Sequence, residues 1–463
     1  MIKFKRLNAN NLTTIRKYIQ KFPLKVCDFS IGVIFMWDNY FRYEYTEVDN
    51  TLILKLYYGK QEWFLPPVGE NVEKAIIELE KYCVENYCEL RFTCVDDGVL
   101  PFYLNRYGKT ATYDYDRKWS DYIYDINEIS TFSGKKFSGQ RNHINKFKKL
   151  YAGYKYKKIT KSDVPKLNKL LKAYKKDHKK MGVVEKGEFD NTVKLLDAFV
   201  KLKLFGGYIE YNGKPISFSI GEYCDDTLVI HVEKALREYQ GVYPTTFNEF
   251  VNAFKKDGIK YVNREDDSGD EGLRTSKLQY KPITLLNKYY IEIEKPFNVK
   301  RIPNISYGGL YFNKIADGDK LDYYRLYVNR SLNKYWGYDY KKDYPNATAD
   351  DFIKMVRRDY KNKFNVCLAI RNSKNGKMIG EAVLHNFGYD NTVEIGVRLF
   401  KKYHGKGYGK TTFIAMANYV EKVLGKTPVT KAYIQNKNSI SAMIKAGFVK
   451  TGEDKKYYYF VKN

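Results

Sequence analysis

Apolar and polar positions alternate through two long stretches of this chain. One, GGYIEYNGKPISFSIGEYCDDTLVIHVEKALREYQGVY, runs from Gly206 to Tyr243. The other, NVCLAIRNSKNGKMIGEAVLHNFGYDNTVEIGVRLFKKYHGKGYG, runs from Asn365 to Gly409. Each predicts strand, turn, strand, turn, strand, glycine loop and helix. Both first turns read Asn-Gly-Lys, at 212–214 and 375–377, and Asn-Gly predicts a hairpin because both residues accept positive φ. The second turns are Asp225-Asp226 and Gly388-Tyr389-Asp390-Asn391. The spacing from turn glycine to loop is nearly the same, 213 to 241 and 376 to 405. The two stretches therefore read as copies of one plan.

Helical spacing of apolar residues precedes each copy, over Val164 to His178 and Asn191 to Lys201, then over Thr348 to Tyr360. A last strand and helix follow each. A third version is expected in residues 1–130, where TLILKLYYGKQEWFLPP folds back at Gly59-Lys60 and VEKAIIELEKYCVENY is an amphipathic helix. Lys295 to Ser306, with Pro296 and Pro303, reads as a linker. A chain of 463 residues exceeds one ordinary core, so several domains of an α/β (α+β) class are expected.

Composition adds three points. With 44% apolar and 16% aromatic residues, global disorder is excluded. No apolar run approaches 18 residues and the N-terminus MIKFKRLNANNL is unlike a signal peptide, so a soluble cytoplasmic protein without transmembrane segments is expected. Among six cysteines, Cys83, Cys88 and Cys94 cluster without zinc spacing, and no metal site is expected. Net charge is +27, and more than half of it falls between Thr131 and Lys186, where 18 Lys and Arg face three acids, Asp163, Asp177 and Glu185. That tract is either a solvated face or a surface for a polyanion such as tRNA, anionic lipid or nucleotide phosphate.

The loop His404-Gly405-Lys406-Gly407-Tyr408-Gly409-Lys410 joins a strand to a helix that begins near Lys410. Such a junction aims backbone N–H groups at an anion, and the helix end adds about half a unit of positive charge. Glycines let the backbone touch phosphate oxygens, and Lys406 and Lys410 add charge, so a pyrophosphate ligand is predicted. The loop is not a Walker loop, and the antiparallel run before it is not a Rossmann unit.

These residues resemble the GNAT acyltransferase motif Arg/Gln-x-x-Gly-x-Gly/Ala, with His404 in place of the first residue. NKNSISAMIKAGF, Asn436 to Phe448, resembles the closing helix of that family, with Asn436, Ser439 and Gly447-Phe448 at the family's spacing. The resemblance spans about residues 297–463 and implies acetyl-CoA, or another acyl-CoA, as donor and an amine as acceptor. The acceptor would be a small molecule or a protein N-terminus. By the same resemblance the pyrophosphate meets His404 to Lys410, and the carbonyl oxygen meets a backbone N–H near Val397 and Leu399. Freeing the lone pair of an alkylamine at pH 7 costs about 4.6 kcal/mol, so a base or a desolvating pocket is needed. Glu394 matches the acid many members carry and is the expected catalytic base, directly or through water. Met443 stands where the family places a proton-donating Tyr. Trp336, Tyr338 and Tyr340, in NRSLNKYWGYDYKKDYP, lie where members build the acceptor wall.

The middle copy keeps only Gly241 in its loop, and Pro244 has no N–H to give, so a weaker cradle is expected there. YVNREDDSGDEGLRTSKLQYKP then gathers His231 and Glu233 from the preceding strand with Arg264, Glu265, Asp266, Asp267, Glu271, Arg274 and Lys277. With DFSIGVIFMWDNYF and GKKFSGQRNHINKF, this part is similar to the C-terminal domain of phosphatidylglycerol lysyltransferases. That resemblance covers most of residues 1–296 and implies two GNAT-like halves, about 1–130 and 131–296, before a third lobe at 297–463. Each lobe would hold a mixed, mostly antiparallel sheet flanked by helices. It also implies aminoacyl transfer from tRNA; the residues themselves allow Glu265, Asp266 and Asp267 to hold an ammonium group and Arg274 and Lys277 to meet phosphate or carboxylate. The residues alone favour, by a little, a structural ion-pair network near the turn over a site, and the whole chain allows a non-catalytic RNA-binding protein.

Overall fold

The computed structural model describes residues 2–8, 10–177 and 183–462; the expected helix end at His178, and Lys179 and Lys180 of the basic tract, lie outside them. Two compact units are present, Met1–Leu79 with Leu90–Glu294, and Glu80–Glu89 with Lys295–Asn463. Among the described residues no helix is long and apolar enough to cross a membrane.

The first unit contains two sheets. One orders its strands Lys5–Arg6, Glu44–Val48, Thr51–Tyr58, Gln61–Phe64, Leu90–Val95, Tyr289–Ile293 and Ala111–Tyr115, with Val68–Gly69 pairing on Thr51–Tyr58. The other runs Thr284–Leu286, Asp121–Asp125, Tyr261–Asn263, Thr227–Ala235, Lys214–Cys224, Phe205–Tyr211 and Lys155–Lys158. The second unit holds a third sheet, ordered Ile305–Tyr307, Leu310–Lys314, Val366–Arg371, Gly380–His385, Thr392–Leu399, Thr427–Tyr433, Tyr457–Lys462 and Phe448–Glu453.

Each sheet is antiparallel except for one parallel pair among its described strands: Gln61–Phe64 with Leu90–Val95, Thr227–Ala235 with Tyr261–Asn263, and Thr392–Leu399 with Thr427–Tyr433. Parallel neighbours need a crossover, and each has a helix between its strands: Val72–Glu85, Val242–Phe254 and Tyr408–Lys422. The plan therefore occurs three times, including the N-terminal version.

The division of the first 296 residues at about 130 does not follow the sheets. Asp121–Asp125, before that point, pairs with Tyr261–Asn263 in the second sheet. Tyr289–Ile293, from the end of the second half, lies between Leu90–Val95 and Ala111–Tyr115 in the first. Alternation in a segment such as DYIYD specifies a strand and its buried face, but not which sheet receives it. A shared core follows, in which Ile34 and Leu54 join Leu171 and Phe218.

The two Asn-Gly turns also differ. Asn212 (φ 48°) and Gly213 (φ 73°) join Tyr211 to Lys214 as a two-residue hairpin. Gly376 has no positive φ, and the strands around it end at Arg371 and resume at Gly380. The loop is held instead by Arg371, whose guanidinium is paired with Asp319 and donates to the Gly376 carbonyl at 2.9 Å.

In the second unit the central strands are buried on both faces. Val393 and Ile395 pack with Phe413, Met416 and Val420 of the Tyr408–Lys422 helix. The opposite face, through Cys367, Ala369 and Val383, packs on Tyr323 and Leu326 of Lys320–Val328 and on Phe352 and Val356 of Ala349–Lys361.

Candidate active site

The parallel ladder in the third sheet is short. Thr392, Val393 and Glu394 face Thr427, Pro428 and Val429, and no pairing continues past Glu394. Thr430 bridges the point of parting, its hydroxyl donating to the Ile395 carbonyl at 2.8 Å. On the other side Thr392–Leu399 stays paired with Gly380–His385 up to Leu399–Gly380, and the Phe400 amide donates to the Ile379 carbonyl. That bond fixes the phase of the ladder: the amides of Val397 and Leu399 point into the opened gap. These are the two positions expected to offer a donor to the acyl oxygen.

At the end of this strand the backbone turns through Gly405 (φ 74°) and Gly407 (φ 79°), a left-handed geometry that side chains oppose. Gly407 is the N-cap of the Tyr408–Lys422 helix and supplies no side-chain cap. Among the described residues none accepts a hydrogen bond from the amides of Gly405, Lys406, Gly407, Tyr408, Gly409 or Lys410. A Cβ on Gly405 or Gly407 would meet nothing within 4 Å, so the space before these donors is open. Lys406 and Lys410 are exposed. The loop thus combines unpaired N–H groups, the positive end of a helix and two ammonium groups, which suits a pyrophosphate. His404 is placed differently from expectation. Its Nε2 lies 2.9 Å from the Leu399 carbonyl and closes the loop on the strand end, leaving only the other ring nitrogen for a ligand. Asn436 caps the Lys437–Lys445 helix by accepting from the Ser439 amide at 3.3 Å. Met443 is buried in the core.

Glu394 faces the opposite side of the sheet from the helix. Its Oε2 accepts from Asn386 Nδ2 at 2.8 Å and from Lys431 Nζ at 3.3 Å, and its Oε1 lies 3.8 Å from His385 Nε2. Burial alone would raise its pKa, but His385, Lys431 and Asn386 outweigh it and hold the carboxyl below its ordinary value. His385 is pushed down from 6.5 by burial, with Lys431 adding to the shift and Glu394 opposing it. Sequence reasoning passed over His385, Asn386 and Lys431. The signal was the register, since a hairpin closed at 388–391 sets His385 directly across from Glu394.

Beside Glu394 lies Gly396, where a Cβ would sit 2.9 Å from Trp336 Cη2. Trp336 in turn covers the Arg398 guanidinium at 4.1 Å and donates to the Tyr340 hydroxyl at 3.3 Å. Arg398 is paired with buried Glu381 and donates to Asn333 at 2.7 Å, and Tyr323 donates to Glu381 at 2.7 Å. Trp336 and Tyr340 are therefore the roof of a buried ion pair, and Trp336 also lies against Gly396 beside the gap. Tyr338 is 43% exposed.

The corresponding features of the second sheet are filled from within. Its parallel ladder also stops after three pairs, Thr227 to Val229 with Tyr261 to Asn263. Past that point stands His231, with Nδ1 2.8 Å from Glu265 and Nε2 3.1 Å from Glu222. Gly32, whose amide donates to Glu222 at 2.7 Å, packs against the imidazole. At the helix start, Gly241 abuts the His143 carbonyl, where a Cβ would lie at 2.4 Å, and the Gln240 amide donates to the Tyr151 hydroxyl.

The other charges of this region are largely paired. Arg264 donates to Glu233 at 2.8 and 2.6 Å. Arg274 donates to both oxygens of Asp267 at 3.0 Å, and Arg117 pairs with the same carboxylate. Lys277 donates to the carbonyls of Arg264 and Asp266, and burial lowers its pKa. Arg274 and Lys277 could meet a phosphate or carboxylate ligand or join a structural ion-pair network; the structure gives both partners in the fold, and for buried Lys277 those partners offset the desolvation of its charge. Glu271 opens the Glu271–Gln279 helix next to its N-cap Asp270. Sequence reasoning missed Lys288, which joins Asp28 at 2.6 Å, Asp121 at 2.7 Å and, more distantly, Asp266 at 3.8 Å. Glu265 and Asp266 keep 23% and 20% of their side chains open, and burial raises both their pKa values.

In the basic tract, Lys136, Lys157 and Lys166 are paired with Glu128, Glu210 and Asp163. Lys155–Lys158 is an edge strand, where lysines discourage pairing with another chain.

Comparison with known proteins matches residues 20–292 to the C-terminal domain of phosphatidylglycerol lysyltransferase and residues 310–449 to the acetyltransferase (GNAT) domain. A conserved protein of unknown function from Bacteroides thetaiotaomicron has a solved structure with 29% identity, a TM-score of 0.60, and coverage of 64% of this chain and all of its own. L-PGS from Bacillus licheniformis is 16% identical, with a TM-score of 0.46 and coverage of 61% of this chain and 91% of its own. An uncharacterized protein of Mycoplasmoides gallisepticum is 24% identical over 237 residues, which are 50% of this chain and 74% of that protein.

Proposed function

From a chain that belongs to the phosphatidylglycerol lysyltransferase C-terminal family and carries a GNAT acetyltransferase domain behind it, we propose the following reading. Residues 297–463 transfer an acetyl group from acetyl-CoA to an amine. The observation that carries it is the run of unpaired amides from Gly405 to Lys410 at the end of an opened strand pair. In this reading those amides, with Lys406 and Lys410, hold the donor's pyrophosphate. The Val397 and Leu399 amides receive the carbonyl oxygen, where charge develops during transfer. Asn436 and Ser439 border the donor's path. Glu394 and the Trp336 side of the sheet receive the acceptor, and the anionic carboxyl offsets the positive charge of an approaching amine. Acetyl-CoA supplies the activated acyl group as a thioester.

Acetyl-CoA should raise the melting temperature of the full chain, because it binds the folded state and not the unfolded one. Gly407→Glu should abolish that shift while leaving the fold intact. The new side chain enters open space, at a cost of about 1–2 kcal/mol in left-handed strain, and sets a carboxylate where the phosphate would lie. An unchanged shift in this variant would sink the reading.

A second reading is favoured by the family match and the basic tract: aminoacyl transfer from tRNA by the N-terminal unit. It is supported by the part-open Glu265 and Asp266, which suit an ammonium group, and by the helix Ser138–Leu150 with exposed Lys146, Lys148 and Lys149. Protection of the chain by aminoacyl-tRNA, fading steeply with salt, would favour it over the first.

A further inference from the structure

We propose that His385 takes the acceptor amine's proton, with Glu394 as the positioning residue behind it. The inference rests on the acyl-transfer reading above and moves the base from the carboxylate to the imidazole.

Three geometric facts carry it. First, Glu394 is committed: one of its oxygens already accepts from both Asn386 and Lys431, and the other faces His385. Second, His385 is the more open of the two, with 22% of its side chain exposed against 14% for Glu394. Third, the 3.8 Å between Nε2 and the carboxylate exceeds a hydrogen bond, so that nitrogen has no direct bond to Glu394. The same nitrogen lies on the side of the strand where Gly396 leaves bare backbone between His385 and Trp336; a Cβ there would be 3.5 Å from Nε2 and 2.9 Å from Trp336. Trp336 covers this backbone and Nε2 lies next to it, so an acceptor amine received on the Trp336 side of the sheet comes up to this nitrogen.

The charges around the ring suit the role. Glu394 faces it from the neighbouring strand, Lys431 from the strand beyond, Asn386 from the next residue, and Glu381 from its own strand, where Arg398 neutralises it. Burial and Lys431 favour the uncharged imidazole in the resting protein, while Glu394 stabilises the imidazolium once formed. A carboxylate held below its ordinary pKa is by contrast a poor proton acceptor near neutral pH. In the step itself the amine nitrogen bonds to the acyl carbon and the carbon–sulfur bond breaks. Before this, His385 takes the ammonium's proton and releases it to solvent, which frees the lone pair; after attack the nitrogen's second proton passes to His385, and the leaving thiolate takes a proton from solvent.

The test uses the full chain. With five histidines in the sequence, labelled imidazole resonances can be assigned by substitution and titrated by NMR. His385 should titrate below 6.5, and lower still in Glu394→Gln, where the stabilising charge is gone. Acetyl-CoA binding is measured by calorimetry, and acyl transfer by thiol release with water, spermine and an N-terminal peptide as acceptors. His385→Gln should bind acetyl-CoA as the wild type does and lose about 100-fold or more in kcat. His385→Ala should recover part of its rate on addition of imidazole, which a packing role would not allow. A His385 protonated at pH 7.5 would overturn the proposal. So would an unchanged kcat in His385→Gln, or a wild type that binds acetyl-CoA but transfers to none of the three acceptors. Failure of the wild type to bind acetyl-CoA would instead overturn the donor reading on which it rests.

Discussion

His231 and His385 occupy similar places, one beyond and one beside the end of a short parallel ladder, yet their surroundings drive them apart. Burial would lower the pKa of His231, but hydrogen bonds to Glu222 and Glu265 override it and raise the pKa to about 9. His385 has one carboxylate beyond hydrogen-bond reach and a lysine nearby, and burial prevails. The consequence for His231 is a stability that depends on alkaline pH. Its folded pKa lies above the unfolded value of 6.5, so its contribution is complete below 6.5 and is lost as pH rises through 9. The shift corresponds to roughly 3 kcal/mol. Urea midpoints of the wild type should fall between pH 6.5 and 9, and those of His231→Gln should be lower at pH 6 and flat across that window. A wild type as flat as the variant would show that His231 is neutral. At this scale the sequence was informative for Glu394, whose place at a strand start before a glycine loop is written in local order. It was silent on Lys288, Asp28 and Asp121, which meet only because three distant segments fold together.

Among the described residues the helices Val242–Phe254 and Tyr408–Lys422 each begin after a left-handed glycine, and of these two starts the one at Gly407 is open. Gly407 faces space, whereas Gly241 rests on the His143 carbonyl and Phe147 of the Ser138–Leu150 helix. A methyl group discriminates between them. Gly407→Ala should cost only the left-handed strain, about 1–2 kcal/mol. Gly241→Ala adds a collision with backbone at 2.4 Å and should cost a further 1–3 kcal/mol, read as a lower denaturation midpoint. Equal losses would mean that the middle start is as open as the last. The weaker cradle at Gly241 was legible in the loss of two glycines and the gain of Pro244. The body that fills it was not, because helix periodicity gives a buried face without naming what it packs on. Turns show the same limit: Asn-Gly gave the right hairpin at 212–213, but at 375–377 the anchoring of Arg371 on Asp319 prevailed over local preference.

At the scale of the chain, the exchange of Asp121–Asp125 and Tyr289–Ile293 ties the first two sheets into one folding problem. Cut at residue 130, the first fragment would lack the strand that separates Leu90–Val95 from Ala111–Tyr115. Neither of those strands pairs directly with the other, so Ala111–Tyr115 would lose its only described partner strand. The second fragment would lack the strand joining Tyr261–Asn263 to Thr284–Leu286. Each keeps five neighbouring strands but would expose open edges and half of a shared core, and a sheet needs its apolar face covered for independent stability. Fragments 1–130 and 131–296 should therefore show no cooperative melting by circular dichroism alone, and should regain it when refolded together. A cooperative transition in either fragment alone would contradict the exchange. Repetition along a sequence marks copies of a plan, but physical autonomy depends on where each copy's last strand pairs.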